Sequence, residues 1–255
     1  MKDVGGDGAA GSVFWTTVSA LTERLLTEGT AAIEAAVLLM AERMQAGGQV
    51  FVYDTGHMLE RELIHRAGGL VAWAPLVFRL ELSDTLIHEP AHPLADPEAE
   101  QLAGFVGYAL DAATVTPRDV LLLASVTGAR PVPVELALQA RARGIPVVAI
   151  TSPTFGAAVP ARHPSGQRVI DVADVVIRND CVVGDAAIHI DGVEQPVAPT
   201  SGITAAVLAW TLVERVTRLL ASRGMPPSVI ASMNLPGATE RNREAARAFR
   251  RDRGA

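Results

Sequence analysis

The chain has one cysteine, Cys181, in 255 residues. No disulfide can close within a single copy, which excludes a small cystine-stapled scaffold and agrees with a reducing cytoplasm. Cys181 follows Asp180 in an apolar stretch and reads as a packed thiol rather than a reactive one. Long apolar runs are also missing. The most hydrophobic segments are interrupted by charges, Gly and Pro before they could cross a bilayer, so no membrane role is expected. Residues 1–11 lack the basic start and apolar run of a signal peptide, and their Gly/Ala/Asp content predicts a disordered lead. Positive charge is not in excess: the net charge is −6 and acidic residues run along the whole chain. No overall field favours nucleic acid or acidic lipid, so any anion site must be local. Nor does any Gly-Lys-Ser/Thr phosphate loop or dinucleotide fingerprint occur, which disfavours a nucleotide.

What is present is a hydrophobic fraction of 49% against 20% charged residues, enough to bury the core of one α/β domain with appendages. Helical spacing of Ile33, Val37, Met40 and Met44 predicts a long helix over 12–46, stopped by Gly47-Gly48. Strands are predicted at 49–53, 70–72, 119–124, 145–150 and 174–177. Helices are predicted from the turn at Thr55-Gly56-His57 through His65 to Gly68-Gly69, over 97–112, over 132–143 and from Ser201 to 222. Residues 82–97 and 152–166 read as loops, and 181–197 has hairpin character around Asp191-Gly192. Alternating strands and helices imply a parallel sheet covered on both faces, with ligands at the carboxyl ends of its strands. Six arginines between Arg241 and Arg253 are interleaved with Glu240, Glu244 and Asp252, which reads as a solvated helix face.

The stretch from Leu121 to Arg130 carries the strongest functional signal. A buried apolar strand passes into Ser125-Val126-Thr127-Gly128-Ala129-Arg130, and Pro131 then opens a helix. Free N–H groups, a helix dipole, two hydroxyls and a guanidinium would converge there on a small anion, with phosphate the obvious guest. A second helix start, Pro199-Thr200-Ser201-Gly202, offers the same backbone donors more weakly. His88-Glu89-Pro90-Ala91-His92 spells a zinc-protease string, but that chemistry needs both imidazoles on one helix face. Pro90 inside the string and Pro93 after it exclude the middle of a helix. The turn after the first strand gathers Asp54, His57, Glu60, Glu62, His65 and Arg66. Glu62 shares a stripe with Met58, Leu59, Leu63 and Arg66, the placement of a semi-buried carboxylate suited to a general base or paired with Arg66.

The turn at Thr55-Gly56-His57, the Ser125-x-Thr127-Gly128 turn and the helix start at Pro199-Thr200-Ser201 together resemble the sugar isomerase domain family, over residues 13–231. The resemblance is to a stand-alone branch related to the phosphoheptose isomerases. There, a segment like His57-Met58-Leu59 leads through Glu62 to Arg66-Ala67-Gly68-Gly69, and one like Val183-Gly184-Asp185-Ala186 precedes the last helix. It implies a three-layer α/β sandwich whose five-stranded parallel, flavodoxin-like sheet lies between long N- and C-terminal helices. Residues 12–223 would form this domain and 224–255 a Pro/Arg-rich extension. Dimers or tetramers with sites near subunit interfaces are implied as well. The family's phosphate-binding hydroxyls fall on Ser125 and Thr127, and its next hydroxyl position falls on Arg130. Two departures stand out. Asp54 occupies a first loop that is normally Gly/Ser-rich, and no histidine lies between Ser201 and Ser222, where phosphoheptose isomerases carry a catalytic one.

The resulting expectation is a cytoplasmic phosphosugar protein that interconverts an aldose and a ketose phosphate. Glu62 would serve as base, and His57, His65 or Glu60 as proton shuttle. Thr55, Gly56, Ser125, Thr127, Gly128, Arg130, Thr200 and Ser201 would hold the ligand. A zinc ion could assist where histidine and carboxylate cluster, although no spacing demands a metal. A phosphosugar sensor without chemistry and a sugar-phosphate lyase or etherase are the alternatives, because fold alone does not choose among them.

Overall fold

The computed structural model describes residues 12–55, 59–78 and 98–253. The expected lead at 1–11 and the loop at 82–97, with its His88-Glu89 string, lie outside the described residues. Helices α1 (Val13–Glu28) and α2 (Thr30–Gln45) precede strand β1 (Val50–Asp54), the short α3 (Leu59–Leu63) and β2 (Trp73–Pro75). Then come α4 (Ala99–Ala112), β3 (Val120–Ala124), α5 (Pro131–Ala142), β4 (Val147–Thr151), α6 (Pro153–Ala157), α7 (Val169–Val172) and β5 (Val175–Arg178). A hairpin of β6 (Ala186–Ile188) and β7 (Val197–Pro199) leads into α8 (Ser201–Ser222), and α9 (Ala238–Arg253) follows.

The main sheet has five strands in the order β2-β1-β3-β4-β5, every neighbouring pair parallel. This is the flavodoxin-like order expected above. Side chains alternate across each strand, and here both faces are buried. Val50, Val52, Val120, Leu122, Val148 and Ile150 pack on one face with α2, α3 and α8. Phe51, Leu121, Leu123, Val147 and Ala149 pack on the other with α4, α5 and α7. Three layers result. Strand order reverses between β1 and β3, so a crevice opens outside their carboxyl ends, the usual place for a ligand in an open α/β sheet.

Some boundaries differ from the sequence expectation. The predicted helix over 12–46 breaks at Gly29, where a Cβ would lie 2.4 Å from the Leu25 carbonyl oxygen. The second strand begins at Trp73 rather than at 70, because the tail captures the backbone before it. Leu70 bridges Val229, Val71 N–H donates to Ser228 O, and Gly68 and Ile230 also bond across this seam. The loop predicted over 152–166 contains α6, whose amide at Phe155 donates to Ser152 Oγ at 3.3 Å.

The Arg-rich tail is only partly a solvated face. Along α9, Arg243 and Arg247 pair with Glu240 on the surface, but Arg253 turns inward. Its guanidinium meets the carboxylate of Asp119, which is 0% exposed, at 2.6 and 3.2 Å. Asp119 sits just before β3 and also accepts from the amides of Gln49 and Thr116 and from the Thr116 hydroxyl. Burial pushes its pKa up, but the bonds from Arg253, Gln49 and Thr116 together outweigh burial and hold it below the ordinary carboxylate range.

A carboxyl group with a lowered folded-state pKa stabilises the fold above its unfolded value, and that stability fades as pH falls through the folded value. Asp119→Asn should therefore cost about 2–3 kcal/mol near neutrality, the scale of charged hydrogen bonds lost at a buried site. In urea titrations the gap from the parent protein should close steadily as the medium becomes acidic. A gap that stays constant down to pH ~3 would contradict this assignment.

Candidate functional site

A cavity of about 590 Å³ opens at the carboxyl edge of the sheet, where strand order reverses. Asp54 at the end of β1, Ser125 and Val126 after β3, Asn179 after β5, and Asp185 and Ser201 beside α8 contribute to its wall. Parallel strands that all point the same way deliver these residues to one edge. The two central loops are joined directly, since Thr55 N–H donates to Ala124 O at 3.0 Å.

The β3–α5 turn holds an array of donors beside this cavity, with Ser125 and Val126 in its wall and Thr127, Gly128 and Arg130 outside it. Ser125 is 4% exposed, and its hydroxyl makes no hydrogen bond among the described residues. The amides of Val126, Thr127, Gly128 and Arg130 likewise meet no acceptor among those residues, while Ala129 N–H is met by Thr127 Oγ1 at 3.3 Å. Pro131 begins α5, and exposed Arg130 occupies the N-cap position without an ion pair among the described residues. Gly128 makes the turn possible. Its φ is +59°, and a Cβ there would lie 3.0 Å from Thr151 Oγ1 and 3.2 Å from Val169 Cβ.

The turn is braced from behind. Val169 N–H donates to Gly128 O at 2.8 Å, and Arg162 N–H to Ala129 O at 3.0 Å. Buried His163 ties the bracing loop to α5 through Glu135 at 2.9 Å and bonds Ser165 Oγ at 2.8 Å. Sequence reading missed this brace, because His163 and Glu135 are 28 residues apart and form no local motif.

The first donors at the start of α8 are already taken. Asp185 Oδ1 accepts from the amides of Thr200 at 3.0 Å and Ser201 at 2.8 Å, and its Oδ2 accepts from Ser201 Oγ at 2.6 Å. The donors expected to meet a ligand oxygen thus meet a carboxylate of the chain itself. Asn179 is engaged too, donating to Ser201 O at 3.0 Å and accepting from Thr204 Oγ1. Asp54 accepts from Leu59 N–H at 2.8 Å and so caps the start of α3. Next to it, burial and then the Asp54 charge push the Tyr53 phenol up to about 12. Burial likewise pushes the Cys181 thiol up to about 11, as a packed cysteine requires.

The remaining candidates are dispersed. Glu62 does not line this cavity: one oxygen pairs with Arg66, and the other accepts from Trp210 Nε1 on α8 at 3.3 Å. His65 follows α3 with φ +58° and lines a different cavity, at the amino edge of the sheet. Gly56, His57 and the side chain of Glu60 lie outside the described residues. Among the described residues no three His, Cys, Asp or Glu side chains converge as metal ligands, and no helix is long and apolar enough to cross a membrane.

Residues 13–152, more than half of the chain, match the SIS domain family. The chain belongs to that family. A UPF0309 protein of Geobacillus kaustophilus is 32% identical to this SIS protein over 213 residues, 83% of this chain and 82% of the relative. One from Streptomyces coelicolor is 31% identical over 224 residues, 87% of this chain and 88% of that protein. Among solved structures, a phosphoheptose isomerase from Francisella tularensis aligns at 15% identity and TM-score 0.44, covering 80% of this chain and 96% of that one. The sugar isomerase domain of an RpiR transcription factor from Sphaerobacter thermophilus aligns at 17% identity and TM-score 0.46, covering 93% and 96%.

If Asp185 is what satisfies the start of α8 in this SIS domain, Asp185→Ala should cost about 1–2 kcal/mol, the usual loss for a helix cap. Hydrogen exchange should quicken selectively at the Thr200 and Ser201 amides. Unchanged exchange at those two positions would remove Asp185 from that role.

Proposed function

We propose that this SIS domain binds a sugar phosphate at the carboxyl edge of its sheet and interconverts aldose and ketose forms. The observation that carries the binding half is the β3–α5 turn. Among the described residues, its amides at Val126, Thr127, Gly128 and Arg130 and the Ser125 hydroxyl meet no acceptor, at the edge where strand order reverses. A phosphate supplies the oxygens such an array needs, and Arg130 adds a charge-assisted donor. The sugar then extends toward Asp54, whose carboxylate accepts hydroxyl protons and would repel the phosphate. Thr55 borders the same turn, and Gly56 lies outside the described residues. Ser201 lines the wall beside Asp185 and Thr200 is buried next to it, rather than binding phosphate themselves.

Isomerisation requires a base beside the carbonyl carbon and a partner that polarises the oxygen. Glu62 is the proposed base, although Arg66 and Trp210 hold its two oxygens outside the wall of this cavity. His57 and Glu60 remain the candidate shuttles, since His65 lines the cavity at the opposite edge of the sheet, and a zinc ion is an alternative polariser. One observation favours a second reading, a sensor that binds without converting. From α8 the group that reaches Glu62 is an indole N–H, which donates a hydrogen bond but cannot relay a proton as an imidazole does. A lyase or etherase would draw on the same carboxylate.

A thermal-shift panel of sugar phosphates should find a ligand, since one at a hundred times its dissociation constant adds about 2.7 kcal/mol of stability. Thr127→Leu should abolish that shift in a folded protein, and Arg130→Ala should weaken binding by about 1–3 kcal/mol. Glu62→Gln should keep binding while turnover, read as exchange of a substrate proton with deuterated water, falls about 10²- to 10⁴-fold. Unchanged affinity in both loop variants would move the ligand elsewhere. Binding without any exchange in the parent protein would select the sensor.

The same reading includes a symmetric assembly, a homodimer or homotetramer. Val13 and Trp15 on α1 are 68% and 67% exposed in the single chain, which a second copy would cover. Light scattering at micromolar concentration should give a multiple of the 26.8 kDa chain mass. A monodisperse monomer would refute the assembly.

A further inference from the structure

Another cavity lies at the opposite edge of the sheet from the proposed sugar site. It measures about 810 Å³ and opens between the amino ends of the first strands and α9. Its walls are largely apolar, with Trp73, Ile230, Met233 and Phe249 prominent, while Arg118 and Arg250 supply charge. No carboxylate is among its lining residues. Arg253 also borders it, but that guanidinium is committed to Asp119. Arg118 and Arg250 form no ion pair among the described residues.

One further observation points to a ligand. Trp73 is 3% exposed, and its buried indole N–H has no hydrogen-bond partner among the described residues. Buried tryptophan N–H groups ordinarily find an acceptor, and leaving one unmet costs about 1–3 kcal/mol. Trp73 itself lines a cavity that carries two cations with no ion pair among the described residues and no lining carboxylate. We propose that this cavity is a second binding site, taking an aromatic carboxylate. The flat apolar body would lie among Trp73, Phe249 and Met233, and the carboxylate would meet Arg118 and Arg250. A sugar phosphate suits it poorly, because the apolar walls would strip water from hydroxyls without replacing their bonds. Much of the wall comes from residues 230–253, beyond the segment that matches the family, so the site belongs to this chain's tail as much as to its sheet.

The chain has three tryptophans, Trp15, Trp73 and Trp210, so ¹⁵N-labelled full-length protein gives three indole N–H resonances, assigned with Trp73→Phe and Trp210→Phe. Titration with 2-naphthoate, packing against the Trp73 ring, should move the Trp73 resonance saturably and leave those of Trp15 and Trp210 in place. The double variant Arg118→Ala/Arg250→Ala should weaken the apparent affinity at least about tenfold, as loss of charge-assisted bonds requires. Ala246→Trp, which fills the cavity from α9, should abolish the shift. A Trp73 resonance that stays fixed up to millimolar naphthoate would overturn the proposal, as would equal affinity in the arginine double variant. Neither outcome would bear on the sugar-phosphate site.

Discussion

All five residues of β3 are buried, and their side chains alternate between two separate cores, so the strand has one workable register against β1 and β4. A slip of one residue would exchange the two faces and empty both. That constraint fixes the two ends of the strand as firmly as its middle. Asp119 precedes it at the amino edge and anchors the tail through Arg253, while Ser125 follows it at the carboxyl edge and begins the donor-rich turn. The two cavities sit at opposite ends of the same sheet, and neither could keep its shape if β3 moved.

The layered fold was legible because it rests on local signals. Continuous apolar runs marked β3 and β4, Pro131 and Gly144 bracketed α5, and Ser201 to Ser222 was read to its actual limits. What escaped was non-local. Nothing in the neighbourhood of Leu70 announces that its backbone pairs with Val229, so the start of β2 was placed too early. Nor does the spacing of six arginines reveal that Arg253 alone turns inward, because its partner Asp119 lies 134 residues earlier.

The site was legible in the same uneven way. Ser125, Thr127, Gly128 and Arg130 form one consecutive turn, so their proximity needed no tertiary information. Thr200 and Ser201 were recognisable as a helix start, but the carboxylate that meets them comes from a turn before the hairpin, 15 and 16 residues away. Glu62 and His65 are three residues apart in sequence yet diverge in space, one held toward α8 by Trp210 and the other bordering the amino-edge cavity. A short helix separates neighbours as readily as it gathers them.

Asp185 also imposes a polarity on anything that enters the carboxyl edge. The first two amides at the start of α8 are met from within, by a residue whose backbone lies in the left-handed region at φ +67° to reach them. The start of α5 carries no such carboxylate among the described residues. On the proposed reading, a guest charged at one end and hydroxylated at the other would have a head and a tail in this cleft. It would enter charge-first toward β3, with the protein's own anion opposing the mirror placement.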